Sequence, residues 1–325
     1  MGQLPFEKRT TNTLTRSDAT TDKQFGSDPS KRTIPELLER GIVVIDKPAG
    51  PTSHQVSAYV QKILGITKSG HSGTLDPGVT GVLPCALGKG TRIVQSLLNA
   101  GKEYICLMHL HQDVSEKQLA KVFKQFTGKI RQLPPIISAV KRQWRYRKIY
   151  YLEIIERHGR EVLFRVGCQA GTYIRKLVSD MGDALGCGAH MVELRRSKAA
   201  SFHEEESVTL QDLTDAFYYY EQGDETHLQK ILLPLERGVQ HLHKVWVFDT
   251  AVNTLCNGMQ LKVPGIVKVS DELQVDDPVA VMTLKDELIL VGRAQMTSRQ
   301  MLGEQGIAVK TEQVFMPTDV YPRSA

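Results

Sequence analysis

Residues 41–65 restrict the possible folds more than any other part of the chain. The run GIVVID at 41–46 predicts a buried strand, and the proline- and glycine-rich KPAGP at 47–51 ends it. We expect Ser53 to cap a following helix, whose apolar residues recur at helical spacing until Gly65 stops it. Further strands and helices follow without strict strand–helix–strand alternation. This mixture predicts an α+β fold rather than a doubly wound sheet.

The chain divides into three parts by pattern. Residues up to about 31 are polar and predict an extended arm. The middle mixes both element types, and the tail reads as short strands separated by turns, typical of a small β-barrel of about 75 residues. We therefore expect an arm at 1–38, a main domain at 39–244 and a tail domain at 245–321. Helices are predicted at 34–40, 91–98, 172–185 and 210–220 and after a Ser115 cap, and strands at 82–87, 103–110, 149–156, 162–168, 263–269, 278–284 and 288–294.

Composition excludes several classes of protein. The 325 residues are 41% hydrophobic, enough for a sizeable core, and no run of 18 apolar residues predicts a membrane span. The first residues lack the apolar segment of a secretion signal. The five cysteines show neither zinc-ligand nor redox spacing, which favours a reducing compartment and argues against a zinc site built by this chain alone. We expect a cytoplasmic protein.

Charge is unevenly distributed. From residue 245 onward, seven Lys and Arg face ten Asp and Glu, so the tail carries −3 while the remainder carries +8. The densest basic run is KRQWRYRK at 141–148, where five cations alternate with Trp144 and Tyr146. Cations with interleaved aromatics suit phosphate contact and base stacking, although a solvated strand with long basic side chains would show the same composition.

The segment HSGTLDP at 71–77 holds one carboxylate in a turn. Pro77 biases Asp76 toward an extended backbone, and the flanking Gly73 and Gly78 can adopt angles closed to other residues. A rigid turn can aim Asp76 at a substrate. An ordinary turn with an aspartate in it explains the same heptapeptide, so the segment alone does not decide between the two.

Five segments in one order raise the weight of the substrate interpretation. They are DKPAGPTSH at 46–54, GTLDP at 73–77, KEY at 102–104, GTYIR at 171–175 and ELRR at 193–196. Together they closely resemble the TruB-type pseudouridine synthases over residues 40–200. PPIISAVKR at 134–142, HLH at 109–111 and GAHMVELRR at 188–196 are similar to the dyskerin branch, and the tail resembles its PUA domain. Without long lysine-rich tails, the chain looks like the archaeal form.

The resemblance implies a fold and a reaction. It implies a catalytic domain with a mixed, mainly antiparallel sheet, a C-terminal PUA β-barrel, and an N-terminal arm that packs on the PUA domain. The family converts uridine in RNA to its C-glycoside isomer without metal or redox cofactor. Asp76 matches the family's catalytic aspartate, which acts as nucleophile or as base toward the sugar, and Arg175 matches its ion-pair partner. An arginine suits that position because it stays charged and forks onto a carboxylate.

Other positions match the family's substrate contacts. Tyr104 matches the tyrosine that stacks on the target base, and Tyr173 is expected to line the same pocket. His54 resembles the histidine that fills the gap left by the extruded nucleotide. Lys47 is expected to shape the strand end, and Leu194 to form an apolar wall, although a plain core leucine is nearly as good a reading. The basic run corresponds to a flexible loop that closes over RNA, and its expected RNA contacts are Lys141, Arg142, Arg145, Arg147 and Lys148.

The dyskerin branch also implies partners. It supplies the catalytic subunit of box H/ACA particles that modify rRNA, with a guide RNA, a small zinc-ribbon protein, a small β-barrel protein and a kink-turn-binding ribosomal-type protein. Two alternatives stay open: a stand-alone synthase acting on the T-loop uridine of tRNA, and an RNA-binding scaffold whose catalysis is dispensable. An unrelated aspartate hydrolase would need a second paired carboxylate.

Overall fold

The computed structural model describes residues 2–134, 141–303 and 305–323. Its architecture is α+β, built around two sheets. The helices are α1 Ile34–Arg40, α2 Ser53–Leu64, α3 Val94–Asn99, α4 Glu116–Phe126, α5 Ile174–Leu185, α6 Leu210–Glu221, α7 Thr226–Ile231, α8 Asp249–Cys256 and α9 Gln300–Gly303. The strands are β1 Thr13–Thr15, β2 Gly41–Lys47, β3 Ser69–His71, β4 Thr80–Leu87, β5 Lys102–Leu110, β6 Gly128–Gln132, β7 Arg145–His158, β8 Glu161–Cys168, β9 Ala189–Ala199, β10 Phe202–His203, β11 Leu232–Pro234, β12 His243–Val247, β13 Leu261–Lys262, β14 Ile266–Ser270, β15 Pro278–Met282, β16 Leu288–Ala294 and β17 Ile307–Val314.

The larger sheet runs β11-β2-β4-β9-β5-β8-β7-β6, with β3 on β4 and β10 on β9. Its pairs are antiparallel except β4 with β9, which run parallel over two residue pairs, Thr80 with Arg195 and Gly81 with Arg196. Helices α4 and α5 bury apolar residues against the β5–β8 side. Helices α2 and α6 do the same against β2 and β4. The mixed, mainly antiparallel sheet implied by the resemblance is confirmed.

The smaller sheet is the C-terminal domain with one strand from the arm. Its order is β1-β14-β12-β15-β16-β17-β13, and only β12 with β15 is parallel. Strand β1 pairs antiparallel with β14, placing Thr13 opposite Ser270. The arm also contacts the larger sheet, because Glu7 lies 2.7 Å from the ammonium of Lys198 on β9. The N-terminal segment therefore bridges both sheets.

Two local predictions were wrong, and some elements were not predicted. The cap of α2 is Thr52, whose hydroxyl accepts from the Gln55 amide at 3.1 Å, and Ser53 is the first helical residue. Four residues of the basic run, 145–148, lie in β7 and pair with β6, so this part of the expected loop is a strand. Strand β9 was not predicted as a strand. Residues 135–140, part of the dyskerin-like segment, lie outside the described residues.

Helix length bears on membrane crossing. Of the helices that the described ranges contain, none combines the length and the apolar character that crossing a membrane requires.

Candidate active site

A buried lysine holds the loop that carries Asp76 in place. Lys47, at the end of β2, has no exposed surface. Its ammonium donates to three main-chain carbonyls, those of Pro48 at 2.8 Å, Pro77 at 3.1 Å and Val79 at 2.9 Å. Burial lowers the pKa of Lys47, and the Asp76 carboxylate opposes that effect. Each of the three ammonium protons thus bonds one carbonyl, and together they hold the end of β2 against the turn that leads into β4.

A second tie comes from α2. The buried hydroxyl of Ser53 accepts from the Leu75 amide at 2.8 Å and contacts the Leu75 carbonyl at 3.3 Å. The turn closes on itself, since the Val79 amide donates to the Asp76 carbonyl at 2.9 Å. Gly73 enters the loop at φ +128°, a backbone conformation that favours glycine. Asp76 therefore sits on a turn whose main chain is fixed on both sides.

Asp76 and Arg175 form an ion pair across the loop and α5. Arg175 Nη2 donates to Asp76 Oδ2 at 2.8 Å, although the two residues are 99 positions apart. Both side chains are open to solvent, with 57% of Asp76 and 64% of Arg175 exposed. The pair meets no other ionised partner within salt-bridge distance in the part of the chain that the structure describes. One carboxylate is thus presented to solvent with one fixed cation beside it.

The start of α5 is set by a side chain from β6. Buried Gln132 accepts from the Tyr173 amide at 3.1 Å and donates to the Tyr173 carbonyl at 3.1 Å. Tyr173 occupies the cap position of α5, two residues before Arg175. This two-way amide contact fixes the first turn of the helix and with it the root of the Arg175 side chain.

Tyr104 lies beside the loop on β5 and faces Arg196 across the β5–β9 pairing. Its ring packs against the core that includes Leu75 and Val79. Burial raises the pKa of the Tyr104 phenol, while the charge of the neighbouring Arg196 cation lowers it. Burial lowers the pKa of the Arg196 guanidinium, and Tyr104 opposes that effect.

Two imidazole rings contact each other on the α2 side of the loop. The rings of His54 and His71 meet edge to face with centroids 4.7 Å apart. Burial lowers the pKa of His71 to about 4, helped by His54 and Arg196. The Gly73 amide donates to His71 Nδ1 at 3.4 Å, which fits a neutral His71 ring. His54 is the exposed member of the pair.

The basic run reaches this site through its last residues. Arg147 Nε donates to the Gly171 carbonyl at 3.1 Å, and the Lys148 amide donates to Gln169 Oε1 at 3.2 Å. The two aromatics of the run are exposed and each is covered by a cation from β6: Arg131 lies 4.4 Å from the Trp144 ring and Lys129 lies 4.2 Å from the Tyr146 ring. The hairpin β6–β7 thus adjoins the loop that leads into α5.

Comparison with models of protein families assigns the parts of the chain to known families. Residues 61–174 match the model described as TruB family pseudouridylate synthase, N-terminal domain, and residues 175–240 match the tRNA pseudouridylate synthase B C-terminal domain. Residues 243–315 match the PUA domain and residues 2–57 the DKCLD (NUC011) domain. Among curated relatives, "Probable tRNA pseudouridine synthase B" of Methanopyrus kandleri is 50% identical over 99% of this chain and 96% of its own length. Its namesake in Pyrococcus furiosus is 51% identical over 98% and 95%.

The chain belongs to the TruB family of pseudouridine synthases.

Solved structures agree with this assignment. The structure described as "Crystal Structure of a Cbf5-Nop10-Gar1 Complex" contains a chain with a TM-score of 0.95 and 51% identity, covering 99% of this chain and 98% of its own. A chain in "Structure of H/ACA RNP bound to a substrate RNA containing 2'-deoxyuridine" gives 0.91 and 48%, covering 99% and 100%. The protein is thus an RNA pseudouridine synthase of the archaeal dyskerin-like type.

Within this TruB-family chain, the structure brings Asp76, Arg175, Tyr104 and Lys47 to one loop. Tyr173 adjoins them through the cap of α5, and His54 lies on the opposite flank beside His71. Leu194 is only 8% exposed and belongs to the same core as Leu75, so most of its side chain faces protein rather than a cavity. Arg145 donates to the Lys141 carbonyl at 3.3 Å within the run, while Arg142 is exposed.

Sequence reasoning missed the supporting contacts of the TruB-family site. Ser53 was assigned to a cap it does not form, Gln132 was not singled out, and His71 and Arg196 were given no role. Arg196 had the clearest signal available, since it lies in the ELRR motif at 193–196. The partners of Ser53 and Gln132 lie 22 and 41 residues away, so spacing alone carried no signal for them.

Proposed function

We propose that this pseudouridine synthase modifies specific uridines of rRNA as the catalytic subunit of a guide-RNA-directed H/ACA particle. Full-length similarity to chains from structures described as a Cbf5-Nop10-Gar1 complex and an H/ACA RNP supports the particle. The observation that carries the catalytic assignment is the ion pair of Asp76 with Arg175 at 2.8 Å, on a turn held by Lys47.

Asp76 is the proposed catalytic carboxylate, acting as nucleophile at C1′ or as base toward the sugar. In the isomerisation the N1–C1′ bond breaks and a C5–C1′ bond forms, while C5 loses a proton and N1 gains one. The balance closes without oxidant, reductant or group donor, so we propose no cofactor. Arg175 places a cation beside the carboxylate and donates a hydrogen bond to it at 2.8 Å.

Because Asp76 and Arg175 are exposed, the bound RNA has to exclude water from them. The Asp76 carboxylate is 57% exposed to solvent. Electrostatic stabilisation of a transition state is strongest where water is excluded. We propose that the extruded nucleotide covers the pair, with its base against Tyr104 and the pocket closed by Tyr173. His54 then occupies the position left by the nucleotide, and the part of Leu194 that is not buried completes the wall.

The basic run supplies the proposed phosphate contacts. Lys141, Arg142, Arg145, Arg147 and Lys148 carry charge to the edge of the site, and exposed Trp144 adds a stacking surface. Lys47 has a different role, because its three donors are all taken by main-chain carbonyls. It shapes the loop and does not contact RNA.

The proposal also covers the domains, the protein partners and the location of the protein. We propose the division into an arm at 1–38, a catalytic domain at 39–244 and a PUA domain at 245–321 that binds guide RNA. The protein partners are a small zinc-ribbon protein, a small β-barrel protein and a kink-turn-binding ribosomal-type protein, and the location is the cytoplasm of an archaeon.

One assay tests the function and its alternative. RNA containing uridine tritiated at C5 releases tritium when the isomer forms, and we expect release that requires guide RNA and partner proteins. Release from tRNA by the chain alone would favour the second candidate, which the relatives' name "Probable tRNA pseudouridine synthase B" supports. Turnover by an Asp76→Asn variant would overturn the role of Asp76, and silence of the wild-type chain in both assays would leave an RNA-binding scaffold.

A further inference from the structure

Arg196 is a buried cation that the described reaction chemistry does not use. Its side chain is among the largest that are fully enclosed, with 1% exposed. Within the described ranges its hydrogen-bond acceptors are neutral: Nε donates to the Val82 carbonyl at 2.7 Å, and Nη1 and Nη2 approach the Gly73 carbonyl at 3.5 and 3.4 Å. Burying a charge without an ionised partner is costly. A residue kept there at such cost calls for a reason beyond packing.

The guanidinium connects two parts of the proposed active site. Gly73 starts the loop that carries Asp76 three residues later, so one end of the fork holds that loop. Tyr104 lies opposite Arg196 on the neighbouring strand, and the charge of the guanidinium lowers the pKa of the Tyr104 phenol against the effect of burial. Directly opposed residues on adjacent strands place their side chains on the same face of the sheet. One side chain therefore joins the aspartate loop to the aromatic ring.

The main chain of Arg196 is fixed as tightly as its side chain. Gly81 pairs with Arg196 in the short parallel contact of β4 with β9. Gly81 has φ +102°, and a Cβ placed on it would lie 2.2 Å from the Arg196 carbonyl oxygen. Only glycine allows this approach. The fork of Arg196 thus starts from a backbone position defined by the strand that leaves the aspartate loop.

We propose that Arg196 is a positioning residue for uridine isomerisation, which holds the Tyr104 ring and the Asp76 loop at one fixed separation. The proposal rests on the proposed function, because it uses the roles given there to Asp76 and Tyr104. Arg196 touches neither substrate nor reacting atoms. Its effect is geometric: small errors in the placement of reacting groups cost orders of magnitude in rate while leaving binding nearly unchanged.

The test is single-turnover tritium release by the assembled particle, alongside the dissociation constant for the same RNA. We expect Arg196→Met to lower the rate constant about 100-fold with RNA affinity within about threefold of wild type. Arg196→Lys keeps the charge but loses the fork, and we expect a rate about tenfold below wild type. If Arg196→Met does not fold, Arg196→Lys alone decides the matter.

A neighbouring arginine provides the matched control. Arg195 pairs with Asp46 at 3.0 and 2.9 Å and with Glu204, and among the hydrogen bonds of the described residues its side chain makes none to the loop. We expect Arg195→Met to keep the wild-type rate constant within about threefold. Wild-type rates in both Arg196 variants, or equal losses of rate and RNA affinity, would overturn the inference. Silence of wild type and Arg195→Met together would instead show that the proposed function is wrong, and the inference would fall with it.

Discussion

The active site has two layers with opposite character. The upper one is the exposed pair, Asp76 and Arg175, more than half of whose side-chain surface meets solvent. The lower one is the buried layer, which we define as Lys47, Ser53 and Arg196, none more than 1% exposed. The exposed pair is joined by one hydrogen bond, whereas each member of the buried layer bonds to main chain of the Asp76 loop or the strand leaving it.

This contrast separates reactivity from placement. An exposed ion pair contributes little to folding, so Asp76 and Arg175 are maintained by what they do to a substrate. The donors of Lys47 and Arg196 bond main-chain carbonyls of the loop and of the strand leaving it, so they stabilise the fold and the loop at once. Changes in the upper layer should therefore alter rate without stability, and changes below should alter stability.

The largest expected effect is on rate. Asp76→Asn removes the proposed catalytic carboxylate, and we expect the single-turnover rate constant to fall by at least about 10⁴-fold. The free energy of unfolding should change by less than about 1 kcal/mol, because only an exposed pair is lost. Tritium release and denaturant unfolding measure the two quantities. A stability loss as large as that of a core mutant would break the separation of the layers.

The next effect is on stability. Lys47→Met removes a hydrogen-bond donor from the carbonyls of Pro48, Pro77 and Val79, of which Pro77 also accepts from the Gly50 amide at 2.9 Å, and we expect the free energy of unfolding to fall by about 3–5 kcal/mol. The matched control is Lys62→Met on the exposed side of α2, which should cost less than about 0.5 kcal/mol. Denaturant titration of both variants measures the difference. Equal stability of the two variants would show that the buried layer does not fasten the loop.

The next prediction concerns Arg175, the cation of the exposed pair, and the variant is Arg175→Met. Loss of the cation beside Asp76 should lower the rate constant about 100-fold, as for other removed electrostatic partners. The unfolding free energy should stay within about 1 kcal/mol of wild type. Single-turnover kinetics with circular dichroism at the assay temperature provide both readings. A rate within about threefold of wild type would remove Arg175 from the proposed machinery.

The smallest expected effect depends on pH. Burial lowers the pKa of His71 from 6.5 to about 4, so the unfolded chain binds its proton more readily between those values. Stability should therefore be full above pH 6.5 and decline as pH falls toward 4, by about 1–2 kcal/mol after allowance for the part of the ring that meets solvent. Unfolding free energies measured across that range should decline less in a His71→Gln variant. Equal slopes in both proteins would contradict this.

Sequence predicted the upper layer and missed much of the lower one. Asp76 and Arg175 were found because the motifs around them are distinctive, and the α+β class was found because strand and helix periodicities are local signals. Ser53 was misassigned since its hydroxyl bonds to Leu75, 22 residues away, rather than to its own helix. A hydroxyl next to a helix start looks the same in both situations.

Strand pairing explains the other differences. The end of the basic run, residues 145–148, was expected in a loop because the run corresponds to a flexible loop of the family, yet pairing with β6 makes it a strand. Strand β9 contains Arg195 and Arg196 in succession, which hides its alternation. One of them is buried against β4 and β5 only because those strands arrive from far along the chain. Such partners are tertiary information that a local window does not contain.

The pairing of β1 with β14 has a consequence for synthesis. Thr13 leaves the ribosome 257 residues (270 − 13) before its partner Ser270. Loop closure over so long a span is slow and waits for the last domain to be made. Before that domain is made, the arm has no sheet to join, and once β14 has formed its edge stays open to pairing with other chains until β1 arrives. The segment that contains β1 is thus translated well before it can reach its native position.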